Sequence, residues 1–134
     1  MKQQEIQQKV ILYQLLQKHL ESLKQQALQN ESRFLEIQTT RHALNDFGKE
    51  NADDVLIPLG SGCFADGQMT DTKKVMMEIG SGIVVKKTVE EAKIILNAKE
   101  KEAGTFTENI QKEMESVIKQ INAIAVEIEQ TQRE

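Results

Sequence analysis

Tryptophan is absent, and one tyrosine and four phenylalanines leave aromatics at 4% of the 134 residues. A charged fraction of 28% beside so few aromatics suits long solvated helices better than a compact globule with a large core. Proline occurs once, and every glycine except Gly104 lies between residues 48 and 82, so both flanks of the chain are almost free of helix breakers. The single Cys63 cannot form an internal disulfide, and a lone thiol fits a reducing compartment. No stretch approaches the roughly 18 apolar residues of a membrane span. Met1 to Lys9 is polar and lacks the apolar segment of a signal peptide, so the expected location is cytoplasmic, away from membranes. The net charge of −4 comes from interspersed acids and bases. No basic stripe is present to track phosphates, which weighs against nucleic acid as a partner.

What the flanks do contain is periodicity. In the first, a seam steps by threes and fours through Ile6, Lys9, Tyr13, Leu16, Leu20, Leu23, Ala27, Asn30, Phe34, Ile37, Arg41 and Leu44; nine of these twelve are apolar. Such a seam, sustained over six heptads, is a coiled-coil signal. Asn30 and Arg41 read as register devices, since a polar seam residue sets alignment at some cost in stability. In the second flank, Thr88 with Glu91 three residues on is a capping-box pattern. Its seam reads Val89, Ala92, Leu96, Lys99, Ala103, Phe106, Ile110, Met114, Val117, Ile121, Ile124 and Ile128. Consecutive steps of four across Phe106, Ile110 and Met114 predict a local relaxation of the supercoil. Two helices of roughly 45 residues, about 65–70 Å each, separated by one short insert, invite antiparallel pairing, with partner numbers totalling roughly 137 by this reading of the seams.

Between the helices the period changes to two. Val55, Ile57 and Leu59 alternate along one run, and Val75, Met77 and Ile79 along another. Each run ends in Gly-Ser-Gly and is followed by a second apolar run, Cys63-Phe-Ala65 and Ile83-Val-Val85. Glycine tolerates positive φ, so this is a hairpin signal, and it occurs twice. The expectation is a single domain over 1–134: a helix over 3–49, two β-hairpins over 55–87, and a helix over 88–133. Four short strands cannot close a core of their own, and their edges invite pairing with other chains. The predicted fold is therefore mainly α with a small β-region, a long antiparallel two-helix coiled coil joined by two hairpins that complete a β-barrel between subunits. Val55, Ile57, Leu59, Phe64, Val75, Met77, Ile79, Ile83 and Val85 are the expected oligomerisation residues.

This order resembles the alpha class of the prefoldin family. Val55-Leu-Ile-Pro-Leu-Gly-Ser-Gly-Cys-Phe64 looks like that family's first hairpin, and Met77-Glu-Ile-Gly-Ser-Gly-Ile-Val-Val-Lys-Lys-Thr-Val-Glu-Glu-Ala92 like its second hairpin running into the closing helix. The resemblance covers nearly the whole chain. Cys63 departs from it, standing where a small residue such as Ser is expected before the aromatic. The resemblance implies a hetero-hexamer, archaeal in type, of two alpha and four beta subunits, the beta subunits carrying one hairpin each. It also implies coiled-coil tentacles whose ends hold unfolded client proteins and pass them to a group II chaperonin, without ATP hydrolysis.

Capture at such ends requires apolar surface beyond what the seam buries. Val10, Ile11, Leu12 and Leu15 lie off the first seam, and Ile118, Ala125 and Val126 off the second, at matching heights in the inferred register. Ile6, Val10, Ile11, Leu12, Leu15, Ile118, Ile121 and Val126 are accordingly the expected client-binding residues, because contiguous exposed apolar surface marks an interaction site.

Other chemistries find little support. Neither Gly-Ser-Gly carries the Lys-Ser/Thr ending of a P-loop or the third glycine of a dinucleotide fingerprint. His19 and His42 stand too far apart on one helix to share a metal, and Cys63 has no neighbouring base. No enzyme activity, metal or cofactor is expected. The competing reading is a structural scaffold that assembles through its β-region into homo-oligomers or filaments; a coiled-coil arm of an enzyme is weaker, because no catalytic domain accompanies it.

Overall fold

The computed structural model describes residues 2–47 and 54–133. They form α1 (Lys2–Asp46), β1 (Asp54–Gly60), β2 (Cys63–Gln68), β3 (Lys74–Gly80), β4 (Ile83–Thr88) and α2 (Val89–Arg133). The expected order of helix, two hairpins and helix is present, and each helix has 45 residues. Residues 48 and 49, expected to close the first helix, lie outside the described residues. The chain divides into two units, Met1–Leu35 with Lys101–Glu134 and Glu36–Glu100.

In the first unit α1 and α2 run antiparallel. Lys9 Nζ donates to Thr131 Oγ1 at 3.5 Å, His19 Nε2 lies 3.0 Å from Glu113 Oε1, and Asn30 Nδ2 donates to Thr107 Oγ1 at 2.7 Å. Asn30 and Thr107 total 137, the register inferred from the seams. Leu23, Asn30, Ala103, Ile110 and Val117 are buried, and every other α1 seam position in this unit is half-buried. Asn30 also donates to the Ala103 carbonyl at 2.9 Å, so both amide hydrogens are used and the burial of this polar side chain is compensated.

One seam assignment is corrected. Phe106 is 43% exposed, and it is Thr107, exposed as well, whose side chain bonds Asn30 across the pair. Its hydroxyl accepts from Asn30 and donates to the Ala103 carbonyl at 3.0 Å, which places a threonine where periodicity alone chose the neighbouring aromatic. The α2 seam therefore steps from Thr107 by three to Ile110 and by four to Met114, and the expected consecutive steps of four are absent. Thr131, buried and bonded to Lys9, extends the seam beyond Ile128.

In the second unit Ile37 and Leu44 of α1 bury against Ala92 and Leu96 of α2, and Val75, Met77 and Val89 pack on that cluster. Arg41 donates to Asn97 Oδ1 at 3.2 Å and pairs with Glu100, which satisfies a charge on the seam. The start of α2 is capped as its sequence predicts: the Glu91 amide donates to Thr88 Oγ1 at 3.1 Å. The return bond comes from the Thr88 hydroxyl, which donates to the Glu91 carboxylate at 3.1 Å. The Val89 amide, left without a helical partner, donates to the Lys73 carbonyl at 3.1 Å and ties the helix start to the entry of β3.

β1–β2 and β3–β4 are two separate antiparallel sheets. Both turn through two residues of positive φ, Ser61 (52°) with Gly62 (81°) and Ser81 (51°) with Gly82 (75°), the tight hairpin geometry that matches strand twist. The register shifts between Pro58 and Gly60 and again between Glu78 and Gly80, so the two hairpins are built alike.

Two substitutions test this packing. Asn30→Ala removes two buried hydrogen bonds and should lower stability by about 1–2 kcal/mol in denaturant unfolding. Gly104 sits in continuous α2 beside a groove of about 460 Å³, and a Cβ there meets nothing within 4 Å. Gly104→Ala should therefore raise stability by about 1 kcal/mol in the same measurement.

Candidate functional site

Two apolar surfaces stand out, one in each unit. In the first unit the start of α1 lies beside the end of α2: Lys9 bonds Thr131 and sits 3.9 Å from Glu127. Beside this contact Ile11, Leu12 and Leu15 are 57%, 47% and 58% exposed. On α2, Ile118 and Val126 are exposed and Ala125 with them. Ile6, Val10 and Ile121 are half-buried between the helices. Five of the eight residues expected to bind clients thus stand out from the helix pair, and the other three belong mainly to its seam.

In the second unit the surface is the hairpins. Residues facing one another across an antiparallel pair share a side of the sheet. Val75 and Met77 turn toward the chain's own helices and pack there, with Val85 opposite Met77. Ile57, Leu59, Phe64, Ile79 and Ile83 are exposed, and Val55 is half-buried. The opposite side of each sheet is apolar as well: Leu56 is 65% exposed and Met76 64%. Val84 belongs with them, across the ladder from Glu78. Of the expected residues only Phe64, across the ladder from Pro58, lies on this side. The signal that could have found these three is the unbroken apolar run, Val55-Leu-Ile-Pro-Leu59 and Ile83-Val-Val85, which marks strands covered on both faces.

Among the described residues no group of three His, Cys, Asp or Glu side chains is placed to hold a metal. No helix there is long and apolar enough to cross a membrane. Among the described residues every buried side-chain nitrogen and oxygen has a hydrogen-bond partner.

The family profile for prefoldin subunits matches residues 16–134. The chain belongs to the prefoldin family. It is similar to the prefoldin subunit alpha of Pyrococcus horikoshii, 28% identical over 90% of this chain and 83% of the relative. It is similar also to that of Archaeoglobus fulgidus, 30% identical over 96% of this chain and 91% of the relative. A filamentous prefoldin from Methanocaldococcus jannaschii, solved by cryo-electron microscopy, shares the fold with a TM-score of 0.73. At 18% identity it covers 90% of this chain and 98% of its own, and the likeness is one of fold. The prefoldin subunit is thus alpha-like in sequence, with the two hairpins that the alpha resemblance implied.

Prefoldin subunits assemble, and the exposed hairpin faces set a test. Leu56 and Phe64 touch solvent in the single chain, so the L56S/F64S double variant should change its own unfolding free energy by no more than about 0.5 kcal/mol per site. The same variant should need a higher protein concentration to assemble, read by native mass spectrometry.

Proposed function

We propose that this prefoldin subunit works as an ATP-independent holdase that captures unfolded proteins at its helix ends and passes them to a group II chaperonin. The observation that carries the reading is the exposure of Ile11, Leu12, Leu15, Ile118 and Val126 where the start of α1 meets the end of α2. Soluble proteins seldom leave several large apolar residues exposed together without a partner for them. Ile6, Val10 and Ile121 widen the same region from the seam. The area at one such end is small, so capture is weak at each and strong when several ends of an assembly hold one client, an avidity effect. Flexible apolar side chains suit clients of varied sequence.

The assembly this requires is two copies of this chain with four one-hairpin beta subunits in the cytoplasm, joined through a β-barrel to which both hairpins contribute. Its oligomerisation residues are Val55, Ile57, Leu59, Phe64, Ile79, Ile83 and Val85, with Val75 and Met77 linking the second hairpin to the chain's own helices. No cofactor or metal enters the mechanism: binding and release of apolar surface is all the activity requires.

A second reading draws on the filamentous relative in fold: the open hairpins could propagate a homo-oligomeric scaffold. Replacing Ile11, Leu15, Ile118 and Val126 with Ser separates the two. On the holdase reading the variant assembles with its one-hairpin partner as before, yet suppresses aggregation of a denatured client several-fold less well in a light-scattering assay. Undiminished suppression would refute the placement of the client site. Long filaments from the chain alone, with no effect on client aggregation, would favour the scaffold.

A further inference from the structure

Two leucines on the shaft of α1 belong to neither apolar surface described above. Leu28 is 66% exposed and Leu35 55%. Among the described residues they are the only large apolar side chains of α1 left exposed beyond Ile11, Leu12 and Leu15. They stand seven residues apart, two turns and about 10 Å along the helix. Glu31 lies between them, three residues after Leu28 and four before Leu35, so all three share one side of α1. That side opens on the groove of about 460 Å³ beside Gly104. Ala27 and Phe34 of α1 and Ile110 and Met114 of α2 line the groove, and Glu31 lines it with them. Gly104 contributes no side chain, and a Cβ there would meet nothing within 4 Å, so the α2 wall is open at this height.

Glu31 is the one charged side chain on the groove among the described residues. It enters no ion pair there. The bases nearest to it along α1 are turned elsewhere: Arg33 lines a separate groove with Phe106, and Lys24 lies 4.0 Å from Glu21. The flank is therefore an apolar trough with an uncompensated carboxylate midway between two exposed leucines. The net charge of −4 acts in the same direction on any approaching partner.

We propose that this flank binds a basic amphipathic helix of another protein, laid along the groove as a third helix beside α1 and α2. Leu28 and Leu35 meet apolar residues recurring at the same spacing on the docked helix, and one of those residues fills the space left by Gly104. Glu31 pairs with a lysine or arginine between them, which fixes the register and rejects acidic helices. A helix fits better than an extended segment. The repeat on α1 is two helical turns, and a strand, whose side chains return to one face about every 7 Å, falls out of step with it. The groove lies apart from the hairpins and from Ile11, Leu12 and Leu15, so this docking stands whether or not clients bind at the helix end. Few side chains are buried, and the affinity is accordingly on the order of 1–100 μM.

Fluorescence anisotropy tests this on the full chain, with a labelled synthetic peptide of about four helical turns carrying leucines at heptad spacing flanked by lysines. Saturable binding is expected, weaker at high than at low ionic strength. Gly104→Leu fills the groove from a position where its Cβ meets nothing, and should weaken binding at least about tenfold. Glu31→Lys should weaken it about three- to tenfold and should favour the same peptide with glutamates in place of lysines. A proline at the peptide's centre breaks its helix and should abolish binding. Replacing Ile11, Leu15, Ile118 and Val126 with Ser should leave peptide binding unchanged, which separates this site from client capture. Circular dichroism establishes that each variant is folded. The proposal is overturned by absence of saturable binding, by G104L or E31K binding as wild type does, or by a proline peptide that binds as well as its parent. Loss of binding in the Ser variant would also overturn it. So would weaker self-association of G104L in sedimentation, since the groove would then be covered by another copy of this chain.

Discussion

Apolar residues on both faces of a two-stranded sheet need cover from two sides, and this chain can supply cover from one. In β3–β4 the inner face reaches the cluster of Ile37, Leu44, Ala92 and Leu96 through Val75 and Met77. Met76 and Val84, on the outer face, remain in solvent, as do Leu56, Pro58 and Phe64 of the first hairpin. An isolated two-stranded sheet is marginal in water, so the hairpins are stable elements chiefly in the company of other strands. The helix residues Ile37, Leu44, Ala92 and Leu96 cover only the inner face of the second hairpin, through Val75 and Met77. Incomplete burial in the hairpins is thus the reason the chain acts as a subunit.

Helix pairing is governed by a different economy. A seam of small and medium aliphatics gives affinity but little alignment, since one heptad resembles the next. Polar residues supply the alignment. Asn30 bonds Ala103 and Thr107 in the first unit, and Arg41 reaches Asn97 and Glu100 in the second. Each would leave a buried or half-buried polar group without its partner if the helices slipped by a heptad, and an unsatisfied buried donor costs about 1–3 kcal/mol. Lys9, held by Thr131 and flanked by Glu5 and Glu127, closes the pairing near its outer end. That leaves Ile11, Leu12 and Leu15 exposed beside a well-aligned seam, apolar by composition and without cover in the single chain.

Much of this was legible from residue order. A three-four repeat locates a helix seam whatever the partner, and repeated Gly-Ser-Gly turns locate hairpins because positive φ at two successive residues is hard to achieve otherwise. What escaped were places where chemistry overrides hydropathy. Thr107 holds the seam through its hydroxyl and displaces Phe106, which a count of apolar residues prefers. Thr131 was passed over for the same reason. Leu56, Met76 and Val84 were missed because alternation presumes one wet face, and these strands have none suited to water.

A chaperone that works by apolar contact alone must keep its own assembly surfaces distinct from those it offers to clients. On the proposed function they fall on different units, strands in one and helix ends in the other. The central claim is that the hairpins are completed by other subunits. Native mass spectrometry of the chain mixed with a one-hairpin beta subunit tests it most directly. The account predicts a single complex containing two copies of this chain and four of the partner. A chain that remains monomeric in the presence of excess partner, with its hairpins exposed, would contradict it.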